Sequence, residues 1–250
     1  MTPPNPTAAL LIIGNEILSG RTQDANLNYI AKKLGGVGIP LKEVRVVSDI
    51  EADIVSALNP LRKCYTYVFT TGGIGSTHDD ISVDAVAAAF GVSVIEHPGA
   101  RVLLAAHFGE NNLTPARLRM ARVPEGATLI ENPISSVPGM KIDNVYMLAG
   151  VPEIMQSMMD SVTSSLRHGP AMYSVTVSGF VAESDIADDL RALAARYSNI
   201  DIGSYPWMRK EKFGTALVAR GTDSVAVRKA ADELFGLMKT RDANATLSEA

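Results

Sequence analysis

The residues best equipped for chemistry form one run, Thr70-Thr-Gly-Gly-Ile-Gly-Ser-Thr-His-Asp-Asp80. Gly72, Gly73 and Gly75 carry no Cβ, so their backbone N–H groups can approach an anion closely. A helix beginning directly after such a loop adds the positive end of its dipole. His78 and Ser82 offer further contacts to phosphate oxygens. Asp79 and Asp80 would repel a phosphate unless a divalent cation lay between them, so the same stretch implies a metal. A tight turn with Asp80 as helix N-cap is the plainer alternative. Three glycines with Thr, His and two Asp exceed what a turn requires. The run is not a dinucleotide fingerprint, because no further glycine follows at the required spacing and the run follows the third strand rather than the first.

A second stretch, Gly14-Asn-Glu-Ile-Leu-Ser-Gly20, follows the first apolar run and precedes Asp24 and Asn26. Glu16 is either a metal ligand or general base, or the cap of a backbone turn, and the residues leave both open. Asn15 suits a phosphate or ribose, and Gly14, Gly20 and Asn26 are further candidates for binding the phosphates of a nucleotide. Asp49 is either a ligand contact that orients water or the N-cap of the next helix. Gly150-Val-Pro-Glu153 opens another helix and is a further candidate anion site, through Gly150, Pro152 and Glu153. Asn132-Pro-Ile-Ser-Ser-Val-Pro-Gly139 reads as turn chemistry. The other three histidines lack metal-ligand spacing, and Walker A, Gly-x-Ser-x-Gly and Cys-x-x-Cys sequences are absent. Cys64 is the single cysteine, which excludes an intrachain disulfide; a small buried thiol is expected.

Elements that place these loops alternate along the chain. Strands are expected at 8–13, 41–47 and 67–71, and helices at 24–34, 51–58 (ending before Pro60) and 81–90. Helices at 98–108 and 114–121, short strands at 127–130, 140–142 and 145–148, and a helix at 152–166 complete a first domain, residues 1–168. Strand–helix alternation predicts an α/β three-layer sandwich around a mostly parallel sheet. Beyond Arg167-His-Gly-Pro170 the pattern becomes strand 172–180, helix 183–197, strands 201–205 and 213–220, and helix 223–238. This predicts a small α+β (βαββα) domain over 171–239, and residues 240–250 form a polar, loose tail.

At 250 residues, 46% apolar and 20% charged, the chain is long and apolar enough to bury cores rather than remain disordered. Its formal net charge of −4 argues against partners such as nucleic acid or anionic membrane. The second domain has nearly balanced charge and no Gly-x-x-Gly clamp, and the Arg209-Lys-Glu-Lys212 run reads as a solvated hairpin turn. No signal-peptide core or membrane span is present at the N-terminus, which makes the cytoplasm the expected location.

Taken together, Gly14–Gly20, Gln23-Asp-Ala-Asn26, Val46-Val-Ser-Asp49, Thr71–Gly75, His78-Asp-Asp80, Met120-Ala and Pro152-Glu153 resemble the MoaB/Mog-like molybdopterin-binding domain family. The likeness is strongest to the N-terminal part of competence/damage-inducible protein A (CinA) and the matching domain of eukaryotic FAD synthase. Ser76 stands where the family usually has Pro, Ser82 where it has Thr, and Ser135 where an Asn-Pro-x-Gly turn has its glycine. Asp79 replaces the basic residue common in the Mog branch. The resemblance implies a nucleotide- or pterin-binding first domain without a C-terminal deamidase domain. It further implies a metal-dependent pyrophosphatase that cleaves an adenylylated dinucleotide (ADP-ribose or FAD class) to release AMP. The alternatives are a non-catalytic binder of molybdopterin or nucleotide, and a molybdopterin adenylyltransferase of molybdenum cofactor biosynthesis. Expected cofactors are a divalent metal (Mg²⁺, Mn²⁺ or Co²⁺), held by Asp79, Asp80 and Glu16, together with potassium. A homo-oligomer, dimer or trimer, is the expected assembly.

Overall fold

The computed structural model describes residues 4–209 and 211–249, so Met1 to Pro3 of the proline-rich start, Lys210 of the 209–212 turn and Ala250 lie outside the described residues. The chain divides into two compact units, one ending at Gly169 and the next starting at Pro170.

In the first unit, β1 (Ala8–Ile13), α1 (Asn15–Leu18), α2 (Asn26–Gly36), β2 (Leu41–Val47), α3 (Glu51–Cys64) and β3 (Tyr67–Thr71) follow in order. Next come α4 (Ser82–Phe90), β4 (Val94–Glu96), α5 (Pro98–Phe108), α6 (Pro115–Leu118) and β5 (Arg122–Pro124). The unit closes with β6 (Thr128–Ile130), β7 (Gly139–Ile142), β8 (Val145–Leu148) and α7 (Pro152–Thr163). Six strands form one sheet in the order β2-β1-β3-β8-β7-β6, parallel through β8 and antiparallel beyond it. Every residue of β1 is buried, as a continuous apolar strand in a sheet covered on both faces must be. α2 packs with α7 and α3 with α4, giving the three layers. The fold is the α/β sandwich that the strand–helix alternation indicated.

Local departures have physical causes. α3 runs through Pro60 to Cys64, whereas the proline had been expected to end it. Ile54, Ala57, Leu58 and Leu61 form a buried stripe spanning Pro60, and this packing offsets a lost helical hydrogen bond costing ~3 kcal/mol. Cys64, expected to be buried, is exposed, because this stripe ends at Leu61. β4 and β5 pair as a separate two-stranded ladder that the sequence pattern did not reveal.

The second unit contains β9 (Tyr173–Gly179), α8 (Ala187–Ala194), β10 (Asp201–Arg209), β11 (Lys212–Gly221), α9 (Ser224–Lys239) and β12 (Thr246–Glu249). Its antiparallel sheet has the order β10-β11-β9-β12. The tail is therefore not wholly loose: Leu247 pairs with Val177 and packs against this unit's core. Among the described residues, no helix is long and apolar enough to cross a membrane.

Candidate functional site

The parallel strands bring four loops to one edge of the sheet. Ile13 lies opposite Val47, Ile12 opposite Thr71, and Thr71 opposite Leu148. The loops leaving β1, β2, β3 and β8 consequently open together at the carboxyl edge, where sheets of this kind bind ligands. Between them lies a cleft of about 560 Å³. Glu16, Asp49, Asp79 and Asp80 line it with the glycine loop, opposite an apolar wall of Met120, Val137, Ile154 and Met158.

The glycine loop is held by backbone geometry that other residues cannot adopt without strain. Gly72 and Gly73 have φ of 97° and 69°. A Cβ on Gly73 would stand 2.1 Å from Ser82 Oγ, and one on Gly72 would stand 2.2 Å from the Ile13 carbonyl oxygen. Ser82 is fully buried; its hydroxyl donates to the Gly72 carbonyl (2.9 Å) and its N–H to the Gly73 carbonyl (3.0 Å). It thus secures the loop from beneath and does not reach the cleft, contrary to its expected role as a phosphate contact. The Ile81 N–H donates to the Asp79 carbonyl (2.9 Å), so the N–H groups of Ile81 and Ser82, at the start of α4, are occupied within the loop. The Gly72 N–H goes to the Leu148 carbonyl (3.3 Å). Among the described residues, the N–H groups of Gly73, Ile74, Gly75 and Ser76 have no backbone acceptor, and these are the donors left for a ligand.

Thr77 joins the acidic pair. Its hydroxyl lies 2.6 Å from Asp79 Oδ1 and 2.6 Å from Asp80 Oδ2, and its N–H donates to Asp80 Oδ2 (2.7 Å). A hydroxyl has one proton, so two carboxylate oxygens compete for it. That hydrogen bond, the Asp79 backbone N–H and the nearby His78 hold the Asp79 carboxyl below the ordinary aspartate value. Asp80 does not cap α4: the N-cap is Ile81, with no side-chain acceptor. Its carboxylate lies over Gly75, 2.6 Å from where a Cβ would stand. The His78 side chain is 99% exposed, 3.9 Å from Asp79, and takes no part in lining the cleft.

Across the cleft, α1 follows Gly14, and the Glu16 carboxylate folds back over that glycine, 2.5 Å from where a Cβ would stand. Asp49 Oδ2 accepts the Asn15 N–H (2.8 Å) and so fixes the start of α1. It does not cap α3, whose N-cap is Ile50. Asn15 and Gly20 lie off the lining. Asn26 is buried, and its Nδ2 donates to the Gly150 carbonyl (2.9 Å). Gly150 lies so close to the glycine loop that a Cβ would stand 3.3 Å from Gly72 Cα. Gly150 and Pro152 line the cleft; Glu153 is exposed and does not. Asn132 and Ser135 line it too, but Asn132 is fully engaged in its own turn, donating to Ser135 Oγ (2.6 Å) and the Val137 carbonyl (2.8 Å).

Three contributors escaped the sequence reading. Thr77 stands three residues before Asp80, a spacing that suits a side-chain turn. Thr22, on the lining, and Arg119, whose Nη2 donates to the Asp80 carbonyl (3.3 Å), carry no local signal. Among the described residues, no three His, Cys, Asp or Glu side chains gather into a ready-made metal cage. Asp79 and Asp80 are the pair suited to a Mg²⁺-like ion, which takes one or two carboxylates and completes its shell from water and phosphate.

Comparison with known proteins agrees with this arrangement. Residues 9–168 match the model of a probable molybdopterin binding domain, and residues 171–245 that of the FAD synthase middle domain. The crystal structure of CinA from Thermoplasma acidophilum, of unknown function, superposes with a TM-score of 0.61 at 30% identity, covering 64% of this chain and 98% of that one. A protein of Pyrobaculum calidifontis is 32% identical over 80% of this chain and 81% of its own. A probable FAD synthase of Caenorhabditis elegans is 29% identical over 94% of this chain but 50% of its own length, so the chain spans half of that relative. These likenesses support a nucleotide- or pterin-binding function. With a glycine loop and acidic pair at the sheet's carboxyl edge, the chain belongs to the MoaB/Mog-like molybdopterin-binding domain family, here followed by an FAD synthase middle domain.

Proposed function

We propose that the cleft is the site of a metal-dependent pyrophosphatase that cleaves an adenylylated dinucleotide, of the ADP-ribose or FAD class, and releases AMP. One observation carries this reading: among the described residues, the N–H groups of Gly73, Ile74 and Gly75 have no backbone acceptor, and these residues line the same cleft as the Asp79–Asp80 pair. The N–H groups are suited to the non-bridging oxygens of a pyrophosphate. Asp79 and Asp80 are anions beside that phosphate, a tolerable arrangement only with a cation between them. A divalent ion held there would neutralise charge on the leaving phosphate. Among the described residues the Glu16 side chain has no hydrogen-bond partner, and it borders the cleft, which suits it to orient a water and take its proton. Asp49 is the weaker candidate for that role, since one oxygen already accepts from Asn15. Anionic substrates repel their nucleophile, so preorganised donors and charge neutralisation would supply most of the rate.

The test is incubation with ADP-ribose, FAD, NADH and coenzyme A, each with Mg²⁺, Mn²⁺ or Co²⁺, measuring AMP. Metal-dependent AMP release that EDTA stops reversibly is expected. Release unaffected by EDTA would refute the metal-dependent mechanism.

Ser76 and Ser135, standing where the family usually has Pro and Gly, favour a second reading, a pterin or nucleotide binder without turnover. Tight binding of a nucleotide by calorimetry, with no product after prolonged incubation with metal, would establish it.

A further inference from the structure

Adjoining the cleft, and sharing Glu16, Thr22, Gly72, Gly150 and Pro152 with it, lies a side pocket of about 70 Å³. It is lined also by Asn26 and Thr71. Both are more than nine-tenths buried, at 4% and 1% exposure. Each has a side-chain oxygen without a hydrogen-bond partner, Asn26 Oδ1 and Thr71 Oγ1. The amide orientation of Asn26 is fixed, because Nδ2 must face the Gly150 carbonyl it donates to. Oδ1 is therefore an obligate acceptor left without a donor. The Glu16 carboxylate at the pocket's rim is a second obligate acceptor, and the Thr71 hydroxyl can donate or accept. An unpaired buried acceptor is costly, so the pocket calls for an occupant rich in donors. A polyvalent metal is disfavoured, since no three acidic or His side chains converge among the described residues.

The geometry points to a subsite for the vicinal hydroxyls of a ribose whose phosphate lies on the Gly73–Ser76 loop. This assignment rests on the nucleotide reading of the cleft and narrows it to ribonucleotides. A ribose is the group adjacent to the phosphate in any nucleoside 5′-phosphate. One of its hydroxyls supplies the donor that Asn26 Oδ1 lacks and the other can pair with the Thr71 hydroxyl, and the pocket shares Gly72 of the loop with the cleft. The pocket holds a hydroxyl-sized group and leaves the flat base to the apolar wall of Met120, Val137 and Met158.

Calorimetry with AMP and with 2′,3′-dideoxy-AMP tests the subsite on the intact chain. Thr71→Val, close in shape and compatible with a strand, removes the hydroxyl while leaving the Asn26–Gly150 bond in place. The wild type should bind AMP roughly ten- to a hundredfold more tightly than the dideoxy compound, as expected for buried acceptors left unpaired. In Thr71→Val that ratio should fall several-fold with the melting temperature little changed. Equal binding of the two nucleotides, or binding of neither, overturns the subsite. So does a ratio unchanged in Thr71→Val together with a KCl-induced rise in melting temperature that this variant loses, which would make the occupant a monovalent cation. AMP release from a dinucleotide without discrimination would sink the subsite and leave the hydrolase standing. Discrimination without AMP release from any dinucleotide would do the reverse.

Discussion

The two sheets of this molecule solve the same packing problem and end up with different chemistry. The first is parallel through four strands, and its central strand β1 is buried on both faces. At its carboxyl edge the loops after β1, β2, β3 and β8 meet, and four carboxylates face one cleft. The second is antiparallel, with Val175, Val177, Leu217 and Ala219 buried in the core that includes α9. Its neighbouring strands run in opposite directions, so their carboxyl ends alternate between the two edges of the sheet. It has a depression of about 610 Å³ along α9, but three of the four charged side chains lining it, Arg228, Asp232 and Glu233, are engaged in ion pairs. Arg228 pairs with Asp232 (3.1 Å) and Glu233 with Arg196 (2.7 Å). Cleft size is thus the poorer guide to function; unsatisfied donors and acceptors beside unneutralised carboxylates are the better one.

The comparison breaks first at Asp80. Asp80→Asn should lower AMP release by more than the ~10²–10³ that one lost transition-state donor costs, with circular dichroism unchanged. Near-normal, EDTA-resistant turnover in this variant would mean that the acidic pair is not the metal carboxylate site. No substitution on the exposed face of α9, such as Asp232→Asn, should change turnover.

Core truncations come next. Phe69 is fully buried and stacks on Tyr146 with ring centroids 5.3 Å apart, so Phe69→Ala should cost about 3–5 kcal/mol in denaturant unfolding. Phe213, 69% exposed on β11, should tolerate the same change within about 0.5 kcal/mol.

A pair of glycines sharpens the contrast on a smaller scale. Gly73→Ala places a methyl 2.1 Å from a buried hydroxyl at positive φ, and should cost about 1–3 kcal/mol and most of the activity. Gly214→Ala meets the Trp207 ring at 2.3 Å, an equally close approach. Trp207 stands on a partly exposed strand and can swing aside, so a loss under about 1 kcal/mol is expected there. Equal melting-temperature losses would show that the loop backbone is not the constraint.

The smallest expected effect is a titration. Asp79 is held below its ordinary value chiefly by the Thr77 hydroxyl. A carboxyl whose folded pKa is depressed contributes stability above its unfolded pKa, and this is lost as pH falls through the folded value. Thr77→Val should therefore shift the Asp79 carboxyl resonance midpoint upward in an NMR titration. Asp242, depressed in the second unit by the Phe180 and Asn244 N–H groups, should not move. An unmoved Asp79 midpoint would remove Thr77 as the link between the two acids.

Much of this was legible in the residue order. The continuous apolar run at 8–13 and the β-branched and aromatic run at 67–71 announce buried parallel strands, because only a sheet covered on both faces can hide them. The glycine run and its two aspartates mark this loop as the candidate site, because positive φ at glycine and side-chain charge are local properties. The helix past Pro60 was not legible, since its stability comes from core contacts made elsewhere in the chain. The side pocket was not legible either. Asn26 reaches the Gly150 carbonyl, 124 residues away, and Asp49 reaches the Asn15 N–H, 34 residues away. Ser82 looked like a ligand by its hydroxyl and its place in the motif, and only folding turned that hydroxyl under the loop. Residue type and spacing thus determined which groups could do chemistry and which elements would carry them. Register and sheet order decided which of those groups face the cleft and which have their hydrogen bonds already made, because such partners are set by distance in space and not along the chain.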